Sequence, residues 1–285
     1  MDIYYAKAFS DIQGIEQKSI SGNPAGIVVC GNGLPSKEVM AKMAVEINQP
    51  IIAFLHQRKD HEFTIRFYFP DGEDCFLCGH GTLVSAYFIN KLYGYKEIAL
   101  KIDEHEFVIN CQVDEQKMVK AYLASYPLDP MPADKVPVYL DLLGLSENDI
   151  LDKFFCPVLN DCIMVLKDCA KLRVLSPDYK KLSAQIKKDH FRAVMITSAS
   201  GNDEIDYEIR IFCPYVEEDE DISCGSANCY LLPYWKNSLH KEDIQDDLVI
   251  LCPFKPNSET FGGIEHGNYY AANNLVSISG RINEI

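Results

Sequence analysis

Basic residues are in short supply in this sequence. Against 42 Asp and Glu stand 27 Lys and Arg, a formal net charge of -15. Nucleic acid and anionic membrane surfaces both need a positive footprint, so neither is expected as a partner. An anionic small molecule is not excluded, because a helix start is locally positive whatever the global field. No stretch approaches the roughly 18 unbroken apolar residues of a membrane span. The opening Met1-Asp2-Ile3-Tyr4-Tyr5-Ala6-Lys7 lacks the basic and apolar blocks of a secretory signal, and a cytoplasmic location is the expectation. Tryptophan is down to Trp235, read here as core packing. Cysteine, in contrast, is not scarce. Eleven are scattered along the chain, an odd number that fits free thiols in a reducing compartment better than a disulfide framework. The 285 residues are 47% hydrophobic and 24% charged, enough for one large domain or two with a core that needs no staples.

Strand and helix signals alternate. Gly22-Asn23-Pro24 is a turn before the β-branched run Ala25-Gly26-Ile27-Val28-Val29. Leu34-Pro35-Ser36-Lys37 opens a helix with Ser36 as N-cap, and Val39, Met40, Met43, Ala44 and Ile47 share one face. Residues 51–56 and 63–69 read as strands, Pro70-Asp71-Gly72 as a turn, and 79–91 as a helix. The order returns later. Residues 162–166, 193–197 and 205–212 read as strands, 177–188 as a helix, and another helix follows Cys224.

The best sign of duplication is local. Ile65-Arg66 is followed by Pro70 and then Cys78-Gly79-His80-Gly81. Ile209-Arg210 is followed by Pro214 and then Cys224-Gly225-Ser226-Ala227. Five parts recur in one order at a spacing of half the chain. Each Cys-Gly falls where a strand hands over to a helix. Glycine admits close backbone approach, and first-turn N–H groups have no internal partner. Such an end binds carboxylate and lowers the pKa of a nearby thiol. Two such turns facing each other would hold a carboxylate with a base on each face of its α-carbon. A structural zinc built on Cys75, Cys78, Cys224 and Cys229 is the lesser alternative, because Cys224 and Cys229 point in different directions from one helix.

With these residues in view, the chain resembles the PhzF-like (phenazine biosynthesis) family within the diaminopimelate epimerase-like superfold. The resemblance rests on Ala6-Lys7-Ala8-Phe9, the segment from Ser21 to Val29, Ala44-Val45-Glu46-Ile47-Asn48, Ala53-Phe54, Ile65-Arg66-Phe67 and Leu77-Cys78-Gly79-His80-Gly81-Thr82. It continues in Glu220-Asp221-Ile222-Ser223-Cys224-Gly225-Ser226-Ala227-Asn228-Cys229 and Pro233-Tyr234-Trp235. It implies an α+β fold of two pseudo-equivalent halves, each a curved, mostly antiparallel sheet around a central helix. The expected halves are 1–120 and 121–274, with a terminal strand near 275–285 returning to the first. It also implies a cofactor-independent isomerase, with no metal, acting on a small carboxylated metabolite in the cleft between the halves, and a homodimer. By the resemblance Glu46 is the proton-shuttling acid/base; His80, Asp221 and Ser226 line the cleft, and Asn23 lies near the substrate. Gly79, Gly81 and Gly225 complete the expected binding set.

Three departures stand out. Asp221 is followed by Ile222 rather than proline, Asn228 stands where histidine is usual, and Cys224 replaces a threonine or similar residue. With Cys78, Cys224 restores the two-cysteine pattern of diaminopimelate epimerases and proline racemases. The sequence therefore leaves two proton carriers open, Glu46 or the Cys78–Cys224 pair, with Asp221 beside either. The acidic run Glu217-Glu218-Asp219-Glu220-Asp221 reads as a solvated loop of which only Asp221 belongs to the site. A third reading, a non-catalytic metabolite-binding or interaction module, is motivated by Ile222 and Asn228.

Overall fold

Two of the strands are buried on both faces, Asp161–Leu166 and Tyr207–Phe212. Others alternate strictly, as in Val108–Val113 and Met118–Ala124, with one side in the core and one towards water. The computed structural model describes residues 1–216, 220–256 and 258–285, and for Ile12 and Gln13 the backbone alone.

The strands of the first half form a ring. In spatial order they are Asp2–Ala8, Asn23–Val29, Ile52–Lys59, Glu62–Tyr68, Glu97–Ile102, Val108–Val113, Met118–Ala124 and Leu275–Glu284. The last pairs back onto the first, Ala6 opposite Glu284, and closes it. Inside lies the helix Gly79–Tyr93, every residue from 79 to 89 buried. The second half continues from the same terminal strand through Gly263–Tyr270, Leu248–Cys252, Tyr207–Phe212, Ala193–Ala199, Asp161–Leu166 and Ile150–Cys156. Its central helix is Asn228–Ser238. Leu275–Glu284 thus hydrogen-bonds strands of both halves.

The duplication is visible in the topology. In each half a parallel pair, an antiparallel pair and a second parallel pair follow one another. Parallel neighbours need a crossover, and helices supply it. Lys37–Ile47 bridges the first pair of the first half; Cys169–Val174 and Tyr179–Lys188 do so in the second. The central helices bridge the second pairs. The remaining pairings between strands are antiparallel, with one isolated parallel bridge from Ile20 to Phe261, and the whole is the diaminopimelate epimerase-like α+β architecture that the resemblance implies.

Local chemistry sets the helix ends. Lys37–Ile47 stops at Asn48 and Gly79–Tyr93 at Gly94, both left-handed. Ser36 precedes the first helix but makes no side-chain cap bond, and Val39 is exposed rather than facing the sheet; Met40 and Ala44 make that contact. Pro233 sits inside its helix and cannot donate to the Cys229 carbonyl, which accepts from the Tyr126 N–H at 2.9 Å instead. Trp235 is buried, stacked on Tyr207 and bonded to Thr197. All eleven cysteines are free thiols, and all but Cys169 are buried. No helix among the described residues is long and apolar enough to cross a membrane.

Candidate active site

The two central helices begin against each other. A Cβ built on Gly79 would stand 2.7 Å from the Gly225 Cα and 2.8 Å from the Ser226 nitrogen. No side chain fits there, so the pair of glycines is what lets the two turns touch. Each turn is headed by a cysteine. Cys78 is the N-cap of its helix, and its Sγ accepts from the Gly81 N–H at 3.4 Å. Cys224 precedes a short 3-10 turn, Gly225–Ala227, which runs into the second helix. Its Sγ lies 3.4 Å from Ser226 Oγ.

Between the turns is a narrow cavity of about 30 Å³, room for about two waters, lined among others by Cys78, His80, Arg192, Asp221, Cys224 and Ser226. It adjoins a wider outer pocket of about 590 Å³, with which it shares Phe69, Cys75, Leu77 and Arg192. Phe69 from the first half and Tyr215 from the second stack at 5.4 Å on the rim.

The polar groups are tied together. Asn23, fully buried, donates its amide to Asp221 Oδ1 at 2.6 Å and to the Ser223 carbonyl at 2.7 Å, and lies 3.3 Å from His80 Nδ1. His80 Nδ1 is also 3.4 Å from Cys78 Sγ. The side-chain oxygen of Asn23 is buried without a partner among the described residues. On the other side Arg192 grips Asp161 with two nitrogens and donates to Ser226 Oγ at 3.0 Å. Tyr230 donates to the same Asp161 carboxylate at 2.9 Å.

Burial sets the direction of the shift at Asp221, His80 and the two thiols. It pushes the Asp221 carboxyl up to about 6, against the hydrogen bond from Asn23 and the charge of Arg192. It holds His80 down at about 3, a neutral imidazole at physiological pH. It lifts the Cys224 thiol to about 12, Arg192 opposing, and the Cys78 thiol well above its ordinary value. The thiols are protonated at rest, and the one ionised side chain of near-neutral pKa in the cavity is Asp221.

Of the residues singled out in the sequence, Asn23, Cys78, Gly79, His80, Asp221, Cys224, Gly225 and Ser226 meet at this one place. Gly81 packs just behind, where a Cβ would press on Ile51, Phe67 and Cys78. Glu46 does not join them. It is exposed near the end of Lys37–Ile47; from that stretch Pro50 and Ile51 reach the cavity instead. The helix turns its Met40–Ala44 face to the sheet, which leaves position 46 towards solvent. Glu217, Glu218 and Asp219 lie outside the described residues. Glu220 is no solvated loop residue: it is fully buried, paired with the buried Arg210 at 2.7 Å. Arg192 and Asp161 were not picked out in the sequence, and no motif there marks them. No three His, Cys, Asp or Glu side chains are set to hold a metal ion among the described residues.

A family profile described as "Phenazine biosynthesis-like protein" matches residues 15–250. The chain belongs to that family. It is 31% identical to an uncharacterized isomerase of Vibrio cholerae over 78% of this chain and 72% of that protein. A second uncharacterized isomerase, from Pseudomonas aeruginosa, is 28% identical over 82% of this chain and 83% of its own. Among solved structures, a PhzF-family phenazine biosynthesis protein of Enterococcus faecalis superposes with a TM-score of 0.76 at 25% identity, covering 99% of this chain and 96% of that one. The fold extends to a probable proline racemase of Agrobacterium radiobacter K84, TM-score 0.57 at 9% identity, over 100% and 91% of the two chains. The PhzF-like protein described here is an isomerase.

Proposed function

We propose that this isomerase moves a proton on a small carboxylated molecule, without a cofactor, in the cavity between its two central helix starts, and that Cys78 and Cys224 are its acid and base. The observation that carries this reading is the backbone contact of Gly79 with Gly225, which sets two thiol-headed turns against one cavity. The substrate carboxylate is held by the first-turn N–H groups, Ser226 and Arg192, and the rest of the molecule occupies the outer pocket. One cysteine, as thiolate, takes the hydrogen from the α-carbon as a proton, and the electron pair it leaves spreads into the bound carboxylate. The other cysteine, as thiol, gives its proton to the opposite face. Burial makes the thiolate scarce, about one part in ten thousand at pH 8 for Cys224 near 12, and correspondingly basic.

A second reading takes Asp221 as the single proton carrier, favoured by its ionised carboxyl in the cavity and its bond from Asn23. Glu46, which the family resemblance suggests, is set aside because it lines no part of the cavity. The test is α-hydrogen exchange in deuterated water across a panel of small amino and hydroxy acids. Either Cys→Ser variant, C78S or C224S, is expected to lose exchange. The pH profile separates the readings. A thiolate base gives a rate rising about tenfold per pH unit from 6 to 9, whereas an Asp221 base gives a plateau above about 6. Full exchange in both C78S and C224S would reject the cysteine assignment.

A further inference from the structure

Behind the Cys224 turn lies an acidic residue that the proposed chemistry does not use. Glu265, on the strand Gly263–Tyr270, is fully buried. Its two carboxylate oxygens take separate partners. Oε1 accepts from Ser223 Oγ and Oε2 from Asn228 Nδ2. Ser223 and Asn228 are the residues immediately before Cys224 and after Ala227, so one side chain grips both ends of the turn. The outer contacts are fixed as well. Tyr207 donates to Asn228 Oδ1, and the Ser223 carbonyl accepts from Asn23, which also holds Asp221. The strand comes close because it starts on glycine: a Cβ on Gly263 would lie 2.3 Å from Ser223 Oγ.

Among the described residues nothing else accounts for a carboxylate here. A buried carboxyl is costly and is retained where its hydrogen bonds specify one arrangement. Both donors approach from the turn, and among the described residues the only other partner of either oxygen is the Cys252 thiol at 3.8 Å. Asn228, the departure from the usual histidine, finds its use as the donor at the C-terminal end of the turn.

We infer that Glu265 is a positioning residue that clamps the Ser223–Asn228 turn and thereby sets the location of the Cys224 sulfur in the cavity. Its role in turnover rests on the proposed use of Cys224; its effect on the turn does not. The residue does not touch substrate. It acts by holding the side chains at both ends of a turn whose second residue carries the thiol.

The experiment compares Glu265→Leu, Glu265→Gln and Ser223→Ala. Two readouts are taken, the rate of Cys224 alkylation by iodoacetamide relative to Cys78, read by peptide mass spectrometry, and kcat and KM for exchange. E265L removes both acceptors, leaving the Asn228 amide without its carboxylate and Ser223 Oγ with the Cys252 sulfur at 3.4 Å alone, so the turn opens more often. Cys224 alkylation is expected to rise about tenfold with Cys78 unchanged. E265Q keeps an oxygen for Asn228, and the Ser223 hydroxyl can rotate to accept, so it is expected within about twofold of wild type. S223A removes one grip and gives an intermediate rise, which keeps the test alive should E265L fail to fold. In exchange, E265L lowers kcat and leaves KM unchanged. Equal alkylation of Cys224 in wild type, S223A and folded E265L would overturn the clamp. If labelling shifts as expected but no form of the protein exchanges substrate hydrogen, the clamp stands and the proposed chemistry falls.

Discussion

Replacing Gly79 by alanine tests the contact on which the site depends. The new methyl would lie 2.7 to 2.8 Å from backbone atoms of Gly225 and Ser226, where ordinary van der Waals contact begins near 3.4 Å. Backbone cannot rotate away as a side chain can, so the two helix starts must part by roughly 0.6 Å or more. Overpacking of this kind costs about 1–3 kcal/mol. In a chain of this size that is a fall in Tm of roughly 2–5 °C. Misplacing reacting groups by about 1 Å costs on the order of a hundredfold in rate. Gly225→Ala is the internal control. Its methyl meets first the ends of Ile278 at 2.8 Å and Phe9 at 3.0 Å, side chains that can yield, and Gly79 only at 3.3 Å. The loss of exchange and of Tm is therefore expected to be larger in G79A than in G225A. Circular dichroism melts and hydrogen exchange by NMR give both numbers. A G79A protein that melts and exchanges like wild type would refute the argument that these backbones touch in the working enzyme.

Asp221→Asn should change how stability depends on pH. The Asp221 carboxyl rises from 3.8 to about 6 on folding, so it favours the folded state below pH 3.8 and loses that contribution as pH climbs through about 6. The loss is roughly 3 kcal/mol, and denaturant titrations of D221N and wild type should diverge by up to that amount between pH 4 and 7. Arg192→Met leaves the fully buried Asp161 carboxylate without its cation. A cost of about 3–5 kcal/mol is expected in the same titrations. Because the Arg192 charge also holds the Cys224 thiol down, alkylation of Cys224 should slow in any R192M that folds. Glu46→Gln should keep exchange within about twofold of wild type, since an exposed carboxyl outside the cavity has no proton to move there; loss of exchange would return Glu46 to the mechanism.

What could be read without coordinates follows from the range of the interactions. The paired Cys-Gly turns were legible because a strand, a turn and a helix start are written in consecutive residues. The family resemblance supplied Asn23, His80, Asp221 and Ser226, and the fold brings them together. Glu46 lies apart from the others because a motif fixes neighbours in sequence but not the side of a helix a carboxyl faces, and here Ile51 lines the cavity. Arg192, Asp161 and Glu265 carried no signal. Each acts through partners 30 or more residues away, so only the folded sheet reveals them. Glu220 was hidden by composition, since an acidic run looks solvated until Arg210 is seen beneath it.

The most direct test of two opposed thiols is where the label goes in the first turnover. Wild-type enzyme would be run on a single enantiomer of an active substrate in deuterated water, and substrate and product recovered at low conversion. Two monoprotic bases on opposite faces require that the hydrogen delivered is not the hydrogen removed. The product should then carry solvent deuterium from the start, while recovered substrate keeps its own hydrogen. Product that retains the substrate's hydrogen would mean one group both takes and returns the proton, and would contradict the assignment to Cys78 and Cys224.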